Sequence, residues 1–225
     1  MENNIIQQFK NIADKCPQKV ALICGDLSVK YSEMKKRVLN IAYSLRINGV
    51  KAGDMVVICL PHTADFVMAV MAVLECGAIY VPIEYQTPDG RIRVIVENYN
   101  IKWMISEKRH DVKVKIIDYK DLKVSYDTKL KQSSQKTVDQ PQGSGKDSAY
   151  VIFTSGSTGV PKGIEIMNDS VCHLVKSYSK YLNPKPNRVS HKVLLMASFS
   201  FDMSVFQMFY PLLTGQTLDV LPEKI

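Results

Sequence analysis

Within residues 154–163 the chain gathers four hydroxyl side chains (Thr154, Ser155, Ser157, Thr158), three glycines (Gly156, Gly159, Gly163) and Lys162. Glycines let backbone N–H groups turn inward around an anion, hydroxyls add donors, and a lysine adds a mobile positive charge. Side chains of these types at this density suit a phosphate. The apolar run 149–153 before them reads as a strand buried on both faces, with a short buried helix as the alternative. A plain Gly/Ser turn with a solvated lysine is the blander reading, and the concentration of donors behind a buried strand weighs against it. The spacing is not that of a Walker A loop, because Pro161 stands where a glycine should precede Lys162. Asp202 is the second chemical position; on spacing alone its carboxylate can cap a helix starting there.

The segment TSGSTGVPKG (154–163) resembles the nucleotide-binding signature of the adenylate-forming enzymes: acyl-CoA synthetases, luciferases and the adenylation domains of nonribosomal peptide synthetases. Three other stretches are similar to core motifs of the peptide-synthetase group. VKYSEM (29–34) keeps the motif's tyrosine and glutamate as Tyr31 and Glu33, and LECGAIYVPIE (74–84) ends in Glu84 where aspartate is usual. FSFDMSVFQMFYPLLTGQTLDV (199–220) is similar to the motif whose aspartate holds the α-ammonium of a bound amino acid.

The resemblance implies attack of an amino acid carboxylate on the α-phosphate of ATP, with release of pyrophosphate. It gives Thr154, Ser155, Gly156, Ser157, Thr158, Gly159 and Lys162 to the β- and γ-phosphates, with Thr154 and Lys162 in the catalytic places. Asp202 then anchors the amine, because a zwitterion entering a dry pocket needs a fixed carboxylate; such a charge-assisted contact is worth about 1.5–3 kcal/mol. Phe201 lines the same pocket or is an ordinary core residue. The implied partners are ATP, an amino acid and a peptidyl carrier protein. Mg2+ accompanies the ATP, its ligand expected downstream of this chain. Asn168 stands where the family commonly has histidine.

Composition fits this reading. The 225 residues are 46% hydrophobic and 23% charged, as in a globular chain. The formal charge of +7 comes from scattered lysines and the 102–136 region, without a nucleic-acid module, so it reads as solvated surface. The five cysteines form no CxxC pair and sit mostly in apolar runs, as buried thiols of a reducing compartment do. Four histidines show no metal-ligand spacing, so no metal site is expected, and no Gly-x-Ser-x-Gly elbow presents a serine for attack. The start lacks a signal-peptide pattern and the most apolar window, 66–76, is too short for a bilayer, which predicts a cytoplasmic protein with no membrane contact.

Strand, helix and strand recur over 55–81, a βαβ pattern with right-handed parallel crossovers. The predicted fold is α/β, a doubly wound, mostly parallel sheet flanked by helices. Residues 1–122 form a first α/β part, 123–147 a linker, and 148–225 the phosphate loop with the start of a substrate-binding part. Motifs expected later in an adenylation domain, and its C-terminal domain, do not follow residue 221. The chain is therefore expected to be an N-terminal portion that is inactive alone, with an open apolar edge at 217–225 available for self-association. The competing assignments are a D-alanine–carrier-protein ligase, an acyl-CoA synthetase, and an inert nucleotide- or protein-binding module.

Overall fold

The computed structural model describes residues 4–122, 145–154, 161–182 and 191–221. Two sheets carry the chain. The larger has six strands in the order β6-β5-β3-β4-β7-β8: β3 (Met55–Cys59), β4 (Ile79–Pro82), β5 (Trp103–Ser106), β6 (Lys115–Asp118), β7 (Ser148–Thr154) and β8 (Lys162–Met167). All its pairings are parallel except the β7–β8 hairpin. The smaller has four strands in the order β2-β1-β10-β9: β1 (Val20–Cys24), β2 (Leu27–Lys30), β9 (Lys192–Leu195) and β10 (Thr217–Val220). The mixed α/β architecture is as predicted, but the single expected sheet is divided in two.

The β3 run shows why the larger sheet has helices on both faces. Val56 and Ile58 enter one core cluster and Val57 and Cys59 the other, so alternate residues are buried on opposite sides. On the second side sits α4 (Asp89–Asn98), which buries Ile92, Ile95 and Val96. On the first lies α3 (Ala64–Glu75), buried at every described position except Asp65 and hydrophobic all round. It packs against β3 and β4, against β1 of the smaller sheet, and against α1 (Ile5–Lys15) and α2 (Tyr31–Asn48). The window that reads as too short for a bilayer is thus the central core helix. Its one buried charge, Glu75, meets Lys10 of α1 at 2.8 Å and Arg46 of α2 at 3.9 Å. No helix among the described residues is long and apolar enough to cross a membrane.

Two helices start without a side-chain cap: α2 begins at Tyr31 behind Lys30, and Thr63 occupies the cap position of α3 without the bond. Tyr31 has a larger task, its buried hydroxyl donating to the carbonyls of Gln216 at 2.6 Å and Pro211 at 3.0 Å. It thereby fixes the end of α6 (Asp202–Thr214) and the entry to β10. The expected open edge at 217–225 is not found over 217–220, because β10 is an inner strand paired in parallel with both β1 and β9. Leu218 and Val220 are buried there, and residues 222–225 lie outside the described residues. Long-range pairing with the N-terminal hairpin supplies a partner that a left-to-right reading of the strand cannot see.

Candidate active site

The β7–β8 hairpin presents one face to a cavity of about 650 Å³. Tyr150, Ile152 and Thr154 alternate along β7, and their cross-strand partners are Ile166, Ile164 and Lys162. The first three, with Phe153, Ile164 and Ile166, line the cavity; Arg91 of α4, the turn residues Ser200 and Phe201, and Asp202 at the start of α6 complete it among the described residues. The structure therefore brings Thr154, Phe201 and Asp202 to one space. Lys162 pairs with Thr154 in the last rung of the hairpin, its carbonyl accepting the Thr154 hydroxyl at 3.4 Å, but it is not part of the lining. Ser155, Gly156, Ser157, Thr158 and Gly159 lie outside the described residues.

Asp202 is the first residue of α6, behind Phe201 in extended conformation, and makes no side-chain cap. Its carboxylate has no ion-pair or hydrogen-bond partner among the described residues. Phe201 is 65% exposed, so it belongs to the rim of the cavity and not to the core. Asp202 also lines an adjoining apolar groove of about 460 Å³ with Leu174, Met203, Val205 and Phe206, and Tyr150 and Ile166 belong to both spaces. Burial pushes the Tyr150 phenol up to about 12, and the Asp202 charge adds to the effect, so Tyr150 stays a neutral donor.

The chain matches the AMP-binding enzyme family over residues 9–225. It belongs to that family. Tyrocidine synthase 1 of Brevibacillus parabrevis is 31% identical over 98% of this chain and 20% of its own length. Delta-poly-L-ornithine synthetase of Acinetobacter baumannii is 31% identical over 100% of this chain and 16% of its own. Among solved structures, the Klebsiella oxytoca NpsA N-terminal subdomain in complex with 3-hydroxybenzoyl-AMSN superposes with a TM-score of 0.84 at 23% identity, covering 99% of this chain and 54% of that one. An artificially fused NpsA–ThdA adenylation–PCP di-domain gives a TM-score of 0.85 at 23% identity, covering 99% and 43%. The fold is that of the N-terminal part of a peptide-synthetase adenylation domain, and the chain spans about half of the NpsA subdomain and a fifth or less of these two synthetases.

Around the cavity, the two walls are secured differently. Gly163 is clasped against α4: its N–H donates to the Tyr99 hydroxyl at 2.8 Å, and Tyr99 packs edge-on against Phe153. A Cβ on Gly163 would come within 2.9 Å of Val151 and 3.1 Å of Phe153 and Tyr99, so a close approach, not a turn, requires this glycine. Asn168, which opens α5 (Asn168–Leu182), donates its side-chain amide to the Asp147 carbonyl at 3.0 Å. This gives the residue a structural task in place of the usual histidine.

A serine, a histidine and an aspartate do meet elsewhere. Ser106 Oγ lies 3.0 Å from His110 Nε2, and His110 Nδ1 lies 2.7 Å from Asp89. Ser106 is only 1% exposed and its oxygen also accepts the Lys108 N–H at 3.1 Å, so the hydroxyl is enclosed within the turn it closes. The arrangement locks the β5–β6 connection onto the start of α4. Among the described residues, no group of three or more His, Cys, Asp or Glu side chains could hold a metal ion.

Sequence reading missed Tyr150, Arg91 and the bonds that hold the turn. The i, i+2, i+4 alternation of 150, 152 and 154 was a usable signal for the cavity face, hidden by an unbroken apolar run. Arg91 stands in the first turn of α4 and carries no sequence mark of its place.

Proposed function

We propose that the cavity holds an amino acid for ATP-dependent adenylation, with its ammonium on Asp202 and its side chain in the adjoining apolar groove. The carrying observation is that an unpartnered carboxylate shares a largely apolar cavity with Thr154, the residue leading into the hydroxyl-rich loop. A lone carboxylate beside Ile152, Ile164 and Ile166 attracts a cation, and the ammonium of a zwitterion offers one at the right scale. Asp202 at the helix start holds the amine, which leaves the substrate carboxylate directed toward Thr154.

The donors of residues 154–163 suit a polyphosphate, and Thr154 and Lys162 stand opposite each other at the loop's two ends. In this reading they and the loop offset the negative charge that gathers on the departing pyrophosphate, worth about 2.7–4 kcal/mol for one well-placed donor. ATP supplies the phosphoryl electrophile, and the chain's residues position and neutralise. Mg2+ travels with the nucleotide, and no step is assigned to it through the described residues. Transfer of the activated amino acid to a carrier protein follows from kinship with the synthetases.

The fold itself accepts acyl groups with no α-ammonium, as the 3-hydroxybenzoyl compound on NpsA shows for that protein. Asp202 is what favours an amine here. The test is calorimetric titration with aminoacyl sulfamoyl adenosines spanning small, aliphatic, aromatic and cationic side chains, each paired with its deamino counterpart. At least one amine-bearing compound should bind about 10- to 100-fold more tightly than its pair, and Asp202→Asn should remove the difference. Equal affinity within every pair overturns the assignment.

A further inference from the structure

We propose that Glu84 is a positioning residue for Asp202, a strut that fixes the amine-binding wall of the cavity to the sheet carrying the phosphate-binding wall. This rests on the reading of Asp202 as the amine anchor. Glu84 leaves the carboxyl end of β4, where Ile83 N–H still donates to the Ile58 carbonyl at 3.0 Å, so it departs from a rigid strand. One carboxylate oxygen, Oε1, accepts the Ser200 N–H at 3.3 Å, the Ser200 hydroxyl at 3.1 Å and, in a short contact, the Ser198 hydroxyl. The two hydroxyls lie 2.9 Å from each other. Bonds to an ionised acceptor are the stronger kind, and three converge on an oxygen that reaches across from residue 84 to residues 198 and 200.

The other tethers of this turn do something different. Gln207 accepts the N–H groups of Met196 and Ala197 at 3.1 and 3.0 Å, and Ser204 donates to the carbonyls of Phe201 and Phe199 at 2.6 and 3.3 Å. Both side chains belong to α6, so they shape the turn relative to its own helix. Phe199 stacks on Phe66 and His62, and His62 Nε2 lies 3.2 Å from the Ala197 carbonyl, which ties the turn to α3 and its approach. Among the described residues, Glu84 alone ties it to β4. Since β4 pairs with β7 at Tyr80 and Tyr150, that strut sets the distance from Asp202 to Thr154. Asp202 is two residues past Ser200, close enough for a loosened turn to misplace the carboxylate while the helix survives.

Glu84→Ala, Glu84→Gln, Glu84→Asp and, from the opposite end of the contact, Ser200→Ala test this in the whole chain. Amide exchange followed by mass spectrometry reads the turn at 196–204 against the hairpin at 150–154 and 162–166, and the paired sulfamoyl adenosines read amine preference. Glu84→Ala should speed exchange in the turn by about tenfold and cut amine preference by about tenfold, with hairpin exchange unchanged. Glu84→Gln keeps a neutral acceptor and should fall between Glu84→Ala and wild type, as should Glu84→Asp, one methylene shorter. Unchanged turn exchange in both Glu84→Ala and Ser200→Ala overturns the strut. So does a loosened turn with amine preference intact, or equal loosening of hairpin and turn. If wild type shows no amine preference, it is the amino acid reading that fails, while the exchange comparison still decides whether Glu84 holds the turn.

Discussion

The two walls of the cavity are built by opposite means. On one side the β7–β8 hairpin is held by a backbone ladder with six paired positions, and its side chains are left free to face a ligand. On the other, the turn before α6 has no strand partner over residues 196–201, and single side chains fix it: Glu84, Gln207, Ser204 and Phe199. A ladder tolerates most side-chain changes but not a change in backbone spacing. A turn held by side chains tolerates little at those few positions and adjusts more easily. The contrast suits the task assigned to each wall, since phosphates are much the same whatever the acyl group, whereas the substrate's amine and side chain are what differ.

The most damaging single change to the hairpin wall should therefore be one that adds bulk at its tightest backbone approach. Gly163→Ala puts a methyl 2.9 Å from Val151 and against two aromatic rings that already pack on each other. The expected loss is about 1–3 kcal/mol, as for other overpacked sites, read as a fall in denaturation midpoint with unchanged slope. Full stability would show that the hairpin is more compliant than its geometry, and the contrast between walls would dissolve. A milder change sharpens it: Tyr99→Phe keeps the ring and removes only the acceptor for the Gly163 N–H. That should cost about 1 kcal/mol, the usual value for one hydrogen bond. A loss equal to that of Gly163→Ala would shift the weight from packing to the bond.

The same contrast explains what could be read from the chain in advance. Strands such as β3 and β4 announce themselves because burial on both faces demands unbroken apolar runs, and Thr154 and Asp202 stand inside recognisable motifs. The split into two sheets was hidden, since nothing local to 217–220 says that Leu218 will sit beside Leu22. Glu84 was hidden for the same reason: a carboxylate after a strand has no visible partner until Ser198 and Ser200 arrive more than a hundred residues later. Backbone-held structure leaves a periodic trace in sequence, and side-chain struts leave none. Phe201 shows the limit from the other side, an aromatic residue whose motif position could not decide between core and rim.

Acid offers the smallest and most selective test of that division, because backbone ladders do not titrate and carboxylate side-chain ties do. Asp89 sits on the larger sheet's side of the molecule yet is bound in the second manner. The Asp111 N–H, foremost, and then His110 hold its carboxyl below its ordinary value of 3.8. A carboxyl depressed in the folded state contributes stability that is fully present above the unfolded value and disappears as pH falls through the folded one. Between neutral pH and about 4 the connection 107–112 should thus keep its hydrogen-exchange protection, after correction for intrinsic rates, and lose it progressively below 3.8. The hairpin amides of 150–154 should hold theirs through the first part of that descent. Asp89→Asn should show the weaker protection already at neutral pH and no further change on acidification. Simultaneous loss in both places would mean that the loop and the ladder open as one unit, so that the distinction between the two kinds of support has no counterpart in how the molecule comes apart.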